Sequence, residues 1–154
     1  SGDISLHASG MAVDGRGYIF IGPSKAGKST LVRGLMSADP SIMVLGEDQL
    51  FLRLVNGRFW VYGTPWHEDP LICSPLGVPL EKVFFLERGP GRHLELCSPV
   101  AGISTILRTA FIPFYRKDLV PGILDRLAGL SAEVPFFSLC YQLGDKILKT
   151  IIYA

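Results

Sequence analysis

The sequence predicts a strand-rich α/β domain, with a mixed β-sheet built from hairpins and flanked by helices. Three observations carry this expectation. In the stretch from Tyr18 to Leu31, a short apolar run leads directly into a glycine-rich loop and then a helix-compatible segment. Two turn signals, Asp14-Gly15-Arg16-Gly17 and Asn56-Gly57, stand between apolar runs, so the strands they join must pair antiparallel. Finally, the elements do not alternate as simple βαβα units, which a wholly parallel sheet would require.

The elements follow in order from periodicity and punctuation. Met11 to Val13 and Tyr18 to Ile21 form the first hairpin. Leu31, Val32, Leu35 and Met36 recur at helical spacing and give one buried face to a helix ending near Asp39-Pro40. Ile42 to Leu45 is a short continuous apolar run suited to a buried strand, and it stops at Gly46-Glu47-Asp48. Gln49 to Val55 and Arg58 to Tyr62 flank Asn56-Gly57, whose residues supply the positive φ angles of a tight turn. A polar, proline-bounded loop follows from Gly63 to Pro70. Val83 to Leu86 and His93 to Leu96 are expected as two strands around the Arg88-Gly89-Pro90-Gly91 turn. Ser98-Pro99 reads as a helix N-cap with proline in the first helical position. Asp118 to Ala132 predicts a further helix, with Leu119, Ile123, Leu124, Leu127 and Leu130 inward and Pro121 tolerated in the first turn. Phe136 to Tyr141 is another strand, and the tail carrying Ile147, Leu148, Ile151 and Ile152 fits either a helix or a strand.

Composition sets the outer bounds. A length of 154 residues fits a single domain, residues 1–154, large enough to bury a core. A hydrophobic fraction of 48% is high for that size and leaves room for a surface that meets a partner, including a second copy of the chain. No apolar run approaches the roughly 18 residues of a membrane span, and the start does not resemble a signal peptide. A formal net charge of +1 argues against a general attraction to nucleic acid. Cys73, Cys97 and Cys140 are widely spaced and never form a Cys-x-x-Cys pair, so reduced thiols in a cytoplasmic protein are expected.

The chemistry centres on Gly22-Pro23-Ser24-Lys25-Ala26-Gly27-Lys28-Ser29, with Thr30 next, which is a full Gly-x-x-x-x-Gly-Lys-Ser phosphate-binding pattern between strand and helix. Glycines let the backbone turn sharply and approach a ligand, so successive N–H groups can surround an anion at the positive end of the helix dipole. In this pattern Lys28 reaches the β- and γ-phosphates, and the Ser29 hydroxyl can ligate Mg²⁺. Lys25 adds a positive charge to the loop or points into water. Glu47 and Asp48 sit at a strand end, where a second acidic motif belongs; one could hold Mg²⁺ while the other accepts a hydroxyl proton, or both could be simply solvated. His7 precedes the first hairpin as a lone histidine. His67 and Glu68 form a loop pair beside Trp66, with Glu68 a candidate metal ligand and His67 a candidate phosphate or substrate contact. Arg108, Arg116 and Lys117 are weaker candidates for closing on a triphosphate.

Taken together, Leu6 to Val13, Gly15 to Ile21, Gly22 to Thr30 and Glu47-Asp48 resemble the catalytic domain of bacterial HPr kinase/phosphorylase, most of all its compact stand-alone relatives. Thr64 to Glu68 is similar to the family's Thr-Pro-Trp-His stretch. The resemblance implies a P-loop fold of the HPr kinase and phosphoenolpyruvate carboxykinase type. It also implies ATP phosphates on Lys28 and the loop backbone, Mg²⁺ on Ser29, and Asp48 as the base toward a serine hydroxyl with Glu47 beside it. His7 would lie in the active site, and Glu68 near a second metal-binding position. Departures are Glu47 for the first aspartate of the family pair, Thr30 where the bifunctional enzymes carry glutamate, Lys25 for a small loop residue, and no counterpart of their downstream glycine-rich segment. HPr as acceptor and the reverse reaction therefore stay open. The expected activity is ATP- and Mg²⁺-dependent transfer of the γ-phosphate to a hydroxyl of a peptide, protein or small molecule. The alternatives are a nucleotide-binding regulatory module without transfer and a small-molecule kinase of the nucleoside monophosphate type.

Overall fold

The computed structural model describes residues 3–22, 27–63, 77–87, 89–110, 116–142 and 147–154. The first hairpin is present: β2 (Ser9–Val13) and β3 (Arg16–Ile21) pair antiparallel from Ser9↔Phe20 to Val13↔Arg16. Its turn residues Asp14 and Gly15 have φ angles of 50° and 74°, the left-handed pair a tight turn needs. The second hairpin joins β5 (Leu50–Val55) to β6 (Arg58–Gly63) through Asn56 and Gly57, whose φ angles of 50° and 79° repeat the device. Helix α1 (Lys28–Ala38) and strand β4 (Met43–Gly46) fall where periodicity puts them. Leu31, Val32 and Leu35 are buried on α1 as expected, with Met36 packed at the margin.

The strand β7 (Gly77–Leu86), ten residues long, organises the molecule. One of its edges pairs parallel with β3, from Leu80 to Phe85. Its other edge is shared: Gly77–Pro79 pair antiparallel with β6, while Val83–Leu86 pair parallel with β9 (Phe136–Cys140). A nine-stranded mixed sheet results among the described residues, with an arm β1-β5-β6 leading to β7 and an arm β3-β2-β4 leading away from it. The expected mixture of parallel and antiparallel pairing is thus observed. Strand β1 (Ile4–Leu6), too short to show periodicity, pairs with β5 at the end of the first arm.

Side chains alternate across the sheet and divide the core in two. Ile19, Ile21, Val83 and Phe85 face one cluster, which includes Ile106 of α2 (Pro99–Thr109) and Leu127 and Leu130 of α3 (Val120–Glu133). Tyr18, Phe20, Phe84 and Leu86 face the other, with Leu31 and Leu35 of α1 and Ile151 of α4 (Leu148–Ile152). This alternation is the two-residue period of a strand buried on both faces. Phe20, Phe84 and Phe137 form a stacked row across β3, β7 and β9, with successive centroids 5.5 Å apart. On the α2 side Gly102 lies so close to β9 that a Cβ there would stand 2.1 Å from the Phe136 ring.

Several expectations are sharpened or corrected. Val83–Leu86 and β8 (His93–Leu96) are strands as expected, and the structure adds that they do not pair with each other, because β9 lies between them and pairs with both. The strand containing Val83 also begins earlier, at Gly77. Leu119 and Leu124 are 40% and 43% exposed rather than inward. Leu119 stands just outside the first turn of α3, and Leu124 is one residue, about 100° of helical rotation, away from the inward Ile123. The tail is a short helix, with Ile147 and Ile151 buried. Among the described residues, no helix is long and apolar enough to cross a membrane.

Candidate functional site

Strand β3 delivers the chain to Gly22, which is buried, and the chain enters α1 through Gly27. Gly27 takes φ 90° and ψ 20°, a left-handed conformation that leaves little room for any other residue. Its carbonyl accepts the first helical hydrogen bond from Leu31 N–H, at 2.8 Å. Lys28 opens α1 with a side chain only 7% exposed, and its Nζ donates to the Gly22 carbonyl at 2.8 Å. The ammonium thus closes the two ends of the Gly22–Lys28 loop on each other. Burial pushes the Lys28 pKa below its ordinary value, and the nearby Asp48 carboxylate opposes that shift. Pro23, Ser24, Lys25 and Ala26 lie outside the described residues. Thr30 is exposed on the first turn of α1.

An acidic corner forms where β4 ends. Glu47 spends both carboxylate oxygens on Arg33 of α1, with Nε to Oε1 at 2.6 Å and NH2 to Oε2 at 2.9 Å. This is a fork-to-fork pair, the arrangement in which arginine binds a carboxylate most specifically. The Glu47 backbone carbonyl accepts from the fully buried Ser9 hydroxyl at 2.6 Å, and the Asp48 carbonyl accepts from Ala8 N–H at 3.2 Å. The segment His7-Ala8-Ser9 is therefore laced alongside Glu47-Asp48. His7 is half-buried, and its own N–H donates to the Thr109 carbonyl of α2 at 3.3 Å. The Asp48 residue is exposed to solvent.

The sequence-predicted residues thus meet only in part. Lys28 joins Gly22 directly and lies within electrostatic reach of Asp48, with His7 one residue from the backbone contact that holds Asp48. Glu68 and His67 lie outside the described residues. Arg108 donates to Thr105 on its own helix, and Arg116 pairs with Asp118, so the two arginines are engaged with their neighbours. Arg33, Ser9 and Tyr141 were missed by sequence reasoning. Tyr141, immediately beyond β9, donates its phenol to the Gly27 carbonyl at 2.9 Å. No local spacing announces any of these contacts, since each joins residues on different elements.

Among the described residues, no three histidine, cysteine or carboxylate side chains converge as a ready-made metal cage. Mg²⁺ seldom uses one; it keeps several waters and takes one or two carboxylates together with substrate phosphates. The oxygen donors of this corner are of the chemical kind that suits such an ion.

No protein-family model matches the chain, and no curated protein matches it by sequence. The class that the architecture defines is the HPr-kinase-like mixed α/β fold. A solved structure of this class is the Hpr(Ser) kinase/phosphatase from Coxiella burnetii, which aligns over 97% of this chain and 88% of its own with a TM-score of 0.55. Identity is 12%, so the likeness is one of fold.

Proposed function

We propose that the chain is an ATP- and Mg²⁺-dependent phosphotransferase that moves the γ-phosphate to a hydroxyl, with a serine of a peptide or protein as the acceptor class. The observation that carries this reading is the buried Lys28, folded back on Gly22 at a strand–loop–helix junction and close enough to Asp48 to feel its charge. On binding ATP, Lys28 exchanges the Gly22 carbonyl for phosphate oxygens, which are the stronger partner because they carry full charge. Loop N–H groups from Gly22 to Ser29 supply the rest of the cradle. Mg²⁺, when bound, would neutralise the phosphate charge, and Ser29, Glu47 and Glu68 are the residues that would hold it, with Arg33 fixing the Glu47 carboxylate in place. Asp48 accepts the hydroxyl proton as the acceptor oxygen bonds to the γ-phosphorus and the bond to the β-phosphate oxygen breaks, releasing ADP. His7, whose neighbour Ala8 donates its N–H to the Asp48 carbonyl, is assigned to the acceptor side of the same site.

Asp48→Asn separates the readings. Nucleotide affinity should stay within about threefold, while transfer to a serine peptide falls by about 10² to 10⁴, the usual worth of a positioned base. A wild-type protein that binds ATP and phosphorylates no hydroxyl would establish the regulatory module instead. Phosphorylation confined to nucleoside monophosphates would establish the small-molecule kinase.

A further inference from the structure

Tyr141 approaches the loop closely at Gly27. Its hydroxyl donates to the Gly27 carbonyl at 2.9 Å, and a Cβ on Gly27 would stand 2.9 Å from that same oxygen. Gly27 is therefore required twice over, by its φ of 90° and by the approach of the phenol. The carbonyl also takes Leu31 N–H at 2.8 Å, so both of its lone-pair directions are engaged and its orientation is fixed.

A peptide unit is planar and, here, trans, so its C=O and N–H point in opposite directions. Holding the Gly27 carbonyl toward Tyr141 and the first turn of α1 turns the Lys28 N–H the other way, off the N-terminal end of α1, where a helix receives an anion. We propose that Tyr141 is a positioning residue for nucleotide phosphate, acting by locking the Gly27–Lys28 peptide; the proposal rests on the phosphotransferase reading above. Its weight falls mainly on the bound state. Among the described residues, Lys28 holds Gly22 and Tyr141 holds Gly27. When Lys28 leaves Gly22 for phosphate, the phenol still holds Gly27. Burial raises the Tyr141 pKa, so the hydroxyl keeps its proton and stays a donor throughout the neutral range.

The test is Tyr141→Phe, which removes one oxygen and leaves the ring. ATP binding should weaken about five- to tenfold, with KM for ATP rising in parallel and kcat nearly unchanged, because Asp48 is untouched. Ile151→Val is the comparison: it trims the buried core beneath α4 without touching the loop and should leave ATP affinity unaltered. In the absence of any ligand, amide exchange at Leu31, whose N–H shares the Gly27 carbonyl, should quicken in Tyr141→Phe and not in Ile151→Val. Equal ATP affinity in wild type and Tyr141→Phe overturns the proposal while leaving the phosphotransferase reading intact, and so does an equal loss in both variants. If wild type itself fails to bind ATP, the phosphotransferase reading falls and the phosphate role of Tyr141 with it, even if exchange at Leu31 responds.

Discussion

Lys28 places an ammonium where only 7% of the residue meets solvent, and burial lowers its pKa from the ordinary 10.5. The unfolded chain then holds this proton more firmly than the folded one. Between the lowered pKa and 10.5, the Lys28 contribution to stability therefore rises with pH. The ATP binding proposed above would have the opposite slope, because phosphates attract only the charged form. Affinity measured by calorimetry from pH 7 upward should decline before an ordinary lysine would titrate, whereas Lys28→Arg, which keeps its charge, should show no such decline. A flat wild-type profile to pH 10 would contradict this role for Lys28. The residues Gly22, Gly27 and Lys28 were legible in the sequence because their placement at a strand–loop–helix junction is fixed by local spacing. Arg33, Ser9 and Tyr141 were not, since their contacts with Glu47 and Gly27 span 14, 38 and 114 positions and only tertiary packing creates them.

At the scale of elements, hairpins were readable wherever a two-residue turn dictated both reversal and register. The segment around Gly89-Pro90-Gly91 announced the reversal but not the partner, because turn residues specify that a chain reverses and say nothing of the strand it then meets. Burial decides that. Strand β9 brings Phe136, Phe137 and Leu139 to both faces and takes the interior slot beside β7, while β8, with His93 and Glu95 exposed, belongs at the edge. Helix α2 is seated on β9 through Gly102, where a methyl group would meet the Phe136 ring at 2.1 Å. Gly102→Ala gains helix propensity but overpacks this contact, and a net loss of about 1–3 kcal/mol is expected. That corresponds to a fall in Tm of roughly 2–10 °C by thermal unfolding. An unchanged or raised Tm would mean that α2 can slide away from β9 at no cost.

Over the whole molecule, β7 is common property of both arms of the sheet, so neither arm has a finished edge without it. Unfolding should therefore be a single event. Native-state amide exchange at Leu52 on β5 and Leu139 on β9 should report opening free energies within about 1 kcal/mol of each other. A β5–β6 hairpin that opens by a separate, cheaper route would contradict it. The mixed character of the sheet was legible from hairpins surrounding one strand–loop–helix unit. The double use of β7 was not, because one strand's divided edge has no signature in its own residues.

The parallel seam between β3 and β7 also has a consequence for the order in which the protein is made. Synthesis runs from the N-terminus, so Ile19, Phe20 and Ile21, all fully buried in the finished fold, leave the ribosome long before β7 can cover them. For that interval the nascent chain carries an apolar strand with an open edge, the feature that invites capture by another chain. The glycine-rich loop hangs from this same strand, and Tyr141 arrives 114 positions after Gly27. If the proposed reading holds, a nucleotide would find no completed cradle until nearly the whole described fold has emerged, and it could not rescue the half-made chain.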